Sequence, residues 1–191
     1  MFKIHKVRVK DSGYAHIQDI LDILGAKRLS SGAYATTYKV SANEVIKVFN
    51  DDRGYKRYLD KMSMMKKNSF VPRIGYALEV IDQYKDKWYM VSMEKLIPWS
   101  RDMDNEMKDH LSEFRSFVRE YVNDDDYEDY SNLTIRDLPK AMLPVAVPRE
   151  LLSVMEVLKE AHKQGFGYDL HDGNFMVRNN GDIVITDPLV Y

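Results

Sequence analysis

Near the C-terminal end the chain reads GYDLHDGNFMVRNNGDIVITDP, from Gly167 to Pro188, and this stretch holds Asp169, Asn174 and Asp187. Asp169 and Asn174 stand five positions apart in a loop predicted to follow a long helix. Asp187 closes the apolar run DIVITDP, where a carboxylate is badly solvated unless it caps a turn or binds a cation. Phosphoryl transfer needs a carboxylate to orient an attacking hydroxyl and accept its proton, and hard oxygens to hold magnesium. Asp169 suits the first role, and Asn174 and Asp187 suit the second. A predicted hairpin between Asn174 and Asp187 would bring those two together. Asp and Asn also populate ordinary solvated turns, so the stretch has a plain reading beside the chemical one. His171 reads as a structural histidine bonding loop backbone, and Asp172 as a solvent-facing turn residue.

Two further places could serve the same chemistry. In LSSGAYATTYKV, the residues Ser30, Ser31, Gly32, Ala33 and Tyr34 form a small-residue turn between β-prone segments. Small residues let a backbone approach phosphate closely, but Gly32 is the single glycine, and Ser30 and Ala35 stand where further glycines could be. A plain β-turn fits this segment equally. Lys47 lies among Val45, Ile46, Val48 and Phe49. It is either a strand lysine snorkelling to water or a compact cation directed at phosphate oxygens.

The elements that must position these residues follow from periodicity. FKIHKVRVK alternates apolar and basic residues, as a half-buried strand does. HIQDILDILGAKR has helical spacing, with Gly25 placed to end it. Strands are predicted on both sides of Ser41–Asn43, and a helix with a Met-rich face over YKRYLDKMSMMKK. A strand pair follows, turning at Tyr84–Lys87. After residue 98 the pattern becomes helical: Met107, Leu111, Phe114, Phe117, Val118 and Tyr121 share one face. NDDDYEDYSN reads as an acidic, solvated loop. VPRELLSVMEVLKEAHKQGF is an amphipathic helix with Pro148 near its first turn and Gly165 near its end. Two strands close the chain, Phe175–Arg178 and Asp182–Thr186. The fold class expected is α+β, divided near Pro98 into a β-rich part over 1–97 and a helical part over 98–191.

Composition limits the alternatives. The 191 residues are 45% hydrophobic, enough for a packed core. A formal charge of −2 supplies no basic field for nucleic acid. The absence of cysteine excludes disulfides and thiolate metal sites. With no signal-like N-terminus and no bilayer-length apolar run, no membrane partner is expected, and a cytoplasmic location is the default reading.

Taken in order, these segments resemble the protein-kinase superfamily. LSSGAYATTYKV is similar to its glycine-rich loop, EVIKVF to its Val-Ala-Ile-Lys strand, YDLHDGN to its catalytic loop through Asp-x4-Asn, and ITDP to its Asp-Phe-Gly segment. Gly167 and Tyr168 stand where that superfamily has His-Arg, and Pro188 follows Asp187 in place of Phe-Gly. The DLHDGN wording also resembles aminoglycoside and choline phosphotransferases. The likeness is nearest to the early serine/threonine kinases of short-tailed lytic bacteriophages, over roughly Leu29 to Tyr191.

That resemblance implies a two-lobed kinase-like fold with ATP and Mg2+ as cofactors. Ser30 to Tyr34 and Lys47 would hold phosphates, and the backbone around Glu94 and Leu96 would bond the adenine. Asn174 and Asp187 would bind magnesium, and Asp169 would orient the hydroxyl. Host proteins would be the substrates, phosphorylated on Ser or Thr in the host cytoplasm to redirect transcription and translation. Two departures shape the expectation. DDRGYKRYLDKMSMMKKN has no glutamate to pair with Lys47, leaving Asp60 as the best stand-in and Asp51 and Asp52 as weaker ones. Four residues follow Asp187 in this sequence, so a minimal C-lobe without activation segment or later helices is expected, unless the native protein continues. Two other functions stay open: a pseudokinase-like module that inhibits a host enzyme by contact, and a small-molecule phosphotransferase in which Asp124–Asp129 attract a cationic substrate.

Overall fold

Short runs of alternating and helical hydrophobic spacing assemble into a mixed α+β structure. The computed structural model describes residues 4–50, 52–62, 64–65, 67–100, 103–123 and 148–191. Asp51 and the acidic run Asp124–Asp129 lie outside the described residues. The described chain forms two compact units, Met1–Arg53 with Pro72–Lys95, and Gly54–Val71 with Leu96–Tyr191.

The first unit is built on a sheet of six strands. These are β1 (Ile4–Arg8), β2 (Lys27–Ser31), β3 (Ala35–Lys39), β4 (Glu44–Asn50), β5 (Ile74–Ile81) and β6 (Lys87–Glu94). Their order is β1-β5-β6-β4-β3-β2, with β1 parallel to β5 and the other pairs antiparallel. Helix α1 (Gly13–Ile23) covers one face. Its Ile17 and Leu21 pack with Tyr38, Ile46, Val48, Val80 and Met90, all buried. Because strand side chains alternate between faces, Ile46 and Val48 turn toward α1 while Val45, Lys47 and Phe49 turn away.

Local chemistry sets the ends of these elements. Ser12 caps α1 by accepting the Ala15 N–H. The carboxylate of buried Asp82 accepts the Gly13 N–H and, through its other oxygen, the N–H groups of Tyr84 and Asp86. One side chain thus shapes the β5–β6 turn and closes a helix N-terminus. Gly25, at φ 62°, lets the chain leave α1 in the left-handed region.

β1 differs from its expected half-buried character: beyond Ile4 its residues are exposed. It is an edge strand, and the apolar residue that reaches the core beside it is Val9, just past its end. Its Lys6 meets buried Glu79 on β5 at 3.2 Å, which places a counter-charge on a carboxylate that would otherwise be costly to bury.

The second unit contains α2 (Arg53–Met62, from Gly54 onward), α3 (Asn105–Asn123) and α4 (Arg149–Lys163). It also holds the short strands β7 (Ile97–Pro98), β8 (Gly167–Tyr168), β9 (Phe175–Val177), β10 (Ile183–Ile185) and β11 (Leu189–Val190). β9 lies between β10 and β7, and β11 pairs with β8, all antiparallel. Phe114 of α3 packs between Phe70 and Phe175, with ring centroids 5.8 and 6.0 Å away. α4 begins behind Pro148 and ends before Gly165, whose φ is 91°.

The Met-rich face expected on α2 is instead aromatic. Tyr55, Tyr58, Leu59 and Met62 are its buried side chains, and the helix stops at Met62. Met64, already in the following turn, is 67% exposed. α2 is tied to α4 through Lys61–Glu160 at 3.0 Å and Arg57–Gln164 at 2.6 Å. The ammonium of Lys61, hydrogen-bonded to Glu160, holds that carboxyl below its ordinary range.

Candidate active site

In the first unit, Lys47 occupies the middle of β4, level with Thr37 on β3 and Val91 on β6. It is partly buried and lies on the face opposite α1. The small-residue segment forms the β2–β3 hairpin, with Ser30 and Ser31 ending β2 and Gly32, Ala33 and Tyr34 at the exposed tip. The Gly32 N–H donates to the Ala35 carbonyl at 2.8 Å, and the Ser31 and Thr36 hydroxyls share a hydrogen bond of 3.0 Å. A Cβ at Gly32 would find its nearest neighbour 3.9 Å away, and its φ is not positive. The fold itself therefore makes no demand for glycine there, while the bare backbone remains open to close approach.

Glu94 ends β6. Its N–H donates to the Arg73 carbonyl at 3.0 Å, its carboxylate accepts the Arg73 N–H at 2.9 Å, and the next N–H, of Lys95, reaches the Asn43 carbonyl at 2.8 Å. The Glu94 side chain thus has a structural occupation. Leu96, where the chain re-enters the second unit, is buried. Asp60 binds Lys56 one turn earlier on α2, with its two oxygens 2.6 and 2.7 Å from Nζ. Asp52 precedes α2.

The second unit gathers the C-terminal candidates through main-chain pairing. β8 and β11 place Tyr168 opposite Leu189, and just beyond this pair the Asp169 N–H donates to the Pro188 carbonyl at 2.9 Å. β9 and β10 place Phe175 opposite Ile185, and just beyond that pair the Thr186 N–H donates to the Asn174 carbonyl at 2.9 Å. Asp187 sits between these two attachments. The ladder therefore fixes Asp169, Asn174 and Asp187 around one short segment of backbone.

Asn174 is buried, 7% exposed, and its side-chain N–H donates to the Asp169 carbonyl at 2.7 Å. An amide that donates through nitrogen directs its oxygen the other way. Asp169 is partly exposed, its carboxylate 3.6 Å from Nε2 of His171. His171 does have the backbone role expected of it: Nδ1 accepts the Gly173 N–H at 3.0 Å, capping the 3-10 turn Asp172–Asn174. Asp172 is half exposed and forms an ion pair with Arg115 on α3.

Three contributors were missed from sequence. Tyr58, fully buried on α2, donates its hydroxyl to the Ile185 carbonyl at 2.9 Å. Burial, and then the negative charge of Asp187, drive its phenol far above the ordinary range. The Met-rich face expected of this helix gave Tyr58 no role, and no local pattern marks it as a support for β10. The Arg115–Asp172 pair joins residues 57 positions apart and has no local signal. Thr186 adds its hydroxyl to the Asn174 carbonyl at 3.2 Å.

The donor set suits magnesium better than a metal caged by protein alone. Asn174 and Asp187 could hold such an ion, since both carry hard oxygens and Mg2+ is commonly held by one or two such groups with substrate phosphates. Among the described residues, no group of three or more His, Cys, Asp or Glu side chains gathers to hold an ion. No helix among them is long and apolar enough to cross a membrane.

A family model described as Bacteriophage T7 protein kinase 0.7 matches residues 6–191. No curated protein sequence matches the chain.

Proposed function

We propose that this chain, which belongs to the Bacteriophage T7 protein kinase 0.7 family, transfers the γ-phosphoryl group of ATP to serine or threonine hydroxyls of host proteins. The observation that carries this reading is the attachment of Asp169 to Pro188 and of Asn174 to Thr186, which brackets Asp187. The backbone joined in this way carries Asp169, Asn174 and Asp187, the residue types that phosphoryl transfer uses.

In this reading the named residues divide the chemistry among them. Lys47 pairs with the α- and β-phosphates, and the Ser30–Tyr34 hairpin lies along the phosphates with Gly32 giving room for close approach. The backbone at Glu94 and Leu96 contacts the base. Asn174 and Asp187 hold Mg2+, which neutralises phosphate charge when bound. Asp169 orients the attacking hydroxyl. The new bond joins the Ser or Thr oxygen to the γ-phosphorus as the bond from that phosphorus to the bridging oxygen of ADP breaks. The hydroxyl proton passes toward Asp169. Little covalent work is asked of the protein, so positioning and electrostatics supply most of the acceleration.

The kinase-like two-lobed arrangement, cytoplasmic action in the host and a redirecting of host transcription or translation belong to the same proposal. The test is incubation of the purified protein with labelled ATP, magnesium and a host lysate, beside Asp187→Ala. Label transferred to proteins by the unaltered chain alone supports the reading. No transfer, with tight association to one host protein that survives Asp187→Ala, replaces it with a module that acts by contact.

A further inference from the structure

His171 has two ring nitrogens with different surroundings. Nδ1 accepts the Gly173 N–H at 3.0 Å, so it presents a lone pair. In the neutral ring the proton then resides on Nε2, the nitrogen 3.6 Å from Oδ2 of Asp169. That separation is just outside hydrogen-bonding range, and contacts of this kind commonly tighten when substrate is bound. The turn backbone lies along one edge of the ring, which is otherwise largely exposed. The Asn174 N–H bonds the His171 carbonyl at 3.0 Å, and a Cβ at Gly173 would come within 2.8 Å of the ring at Cε1. The glycine is what allows the imidazole to lie flat along the turn.

We infer that His171 is a positioning residue for Asp169: its Nε2–H holds Oδ2 and leaves Oδ1 to the acceptor hydroxyl. This rests on the reading of Asp169 given above. The loop-capping role of Nδ1 and the orienting role of Nε2 are separable, because two substitutions each reproduce one nitrogen. In His171→Asn the amide oxygen takes the place of Nδ1 and still accepts the Gly173 N–H, while nothing reaches Asp169. In His171→Gln the longer amide places a donor near the Nε2 position, while the cap on Gly173 is lost.

The measurement is steady-state transfer to a phosphorylated host protein, or to a basic acceptor protein, with a thermal melt of every variant. We expect His171→Asn to melt like the unaltered chain and to keep its KM for ATP, while kcat falls about tenfold or more, the scale set by misplacing a reacting group. His171→Gln should melt lower yet keep kcat within about threefold, which a purely structural role would not predict. Gly173→Ala, which displaces the ring without changing its chemistry, should lower kcat as His171→Asn does. Unchanged kcat in His171→Asn overturns the inference, as does equal loss of kcat in the Asn and Gln variants with both melting low. Failure of the underlying reading looks different: the unaltered chain then transfers no phosphate, or Asp169→Asn transfers it at full rate, and the inference falls with it.

Discussion

The side-chain amide of Asn174 donates to the main-chain carbonyl of Asp169 at 2.7 Å. One candidate metal ligand thereby sets the backbone on which the candidate hydroxyl-orienting carboxylate is mounted. Asn174→Ala removes a buried donor and leaves that carbonyl unsatisfied, a loss of about 1–3 kcal/mol. A thermal or denaturant melt should show it. Phosphoryl transfer should fall further than the stability loss explains, because a candidate magnesium ligand is lost with it.

Asp169→Asn keeps the size of the side chain and removes its capacity to take a proton. The backbone bonds of residue 169, from its N–H to Pro188 and from Asn174 to its carbonyl, do not involve the carboxylate. The variant is expected to fold and bind ATP with near-normal affinity while transfer is abolished. Calorimetric ATP titration beside a transfer assay checks this, and full activity would remove Asp169 from the mechanism.

Tyr58→Phe deletes the hydroxyl that meets the Ile185 carbonyl, and should cost about 1–3 kcal/mol for the acceptor left unpaired. Its pH dependence is a second signature. The folded phenol titrates above its ordinary pKa of about 10, so the folded state keeps a proton that the unfolded chain releases. The stabilisation is fully present below that pH and declines as pH rises beyond it. Chemical denaturation across the alkaline range should therefore show a steeper decline for the unaltered chain than for Tyr58→Phe.

Gly54→Ala tests the contact between α2 and the last strand. A Cβ there would collide with the Leu189 carbonyl oxygen and lie 2.9 Å from Val190 Cα, so β11 must move. Overpacking of this kind costs roughly 1–3 kcal/mol. Because β11 continues directly from the Pro188 carbonyl that holds Asp169, reduced transfer should accompany the lowered melting temperature. A normal rate in a destabilised Gly54→Ala protein would show that the segment tolerates this movement.

The sequence made the chemical types visible before their geometry. Asp-x4-Asn, the Asp after an apolar run and the lysine within a strand could all be found by spacing. The α1 face and the four main antiparallel strands followed from strong periodicity. The β9–β10 hairpin that brings Asn174 toward Asp187 was legible as well, but the β8–β11 pair beside which Asp169 is bonded to Pro188 was not, because its strands are only two residues long. Elements that short carry too few side chains for a period to register. The aromatic buried face of α2 was misjudged because Met64 and Met65 fit the helical spacing, whereas the helix closes at Met62. Arg115 and Asp172 meet only through tertiary packing, which no local pattern announces.

The parallel strand β1 has a consequence for how separate molecules behave toward one another. It occupies the outer side of β5, whose remaining neighbour is β6. Without residues 4–8, the Ala77–Ile81 edge of β5 would present unpaired N–H and C=O groups, a template on which another copy could dock strand to strand. Buried Glu79 would also lose the ammonium of Lys6. A version beginning after residue 8 should therefore show concentration-dependent self-association by light scattering while the intact chain does not. The basic character of KIHKVRVK then acquires a colloidal meaning: its like charges discourage a second strand from adding where the sheet ends.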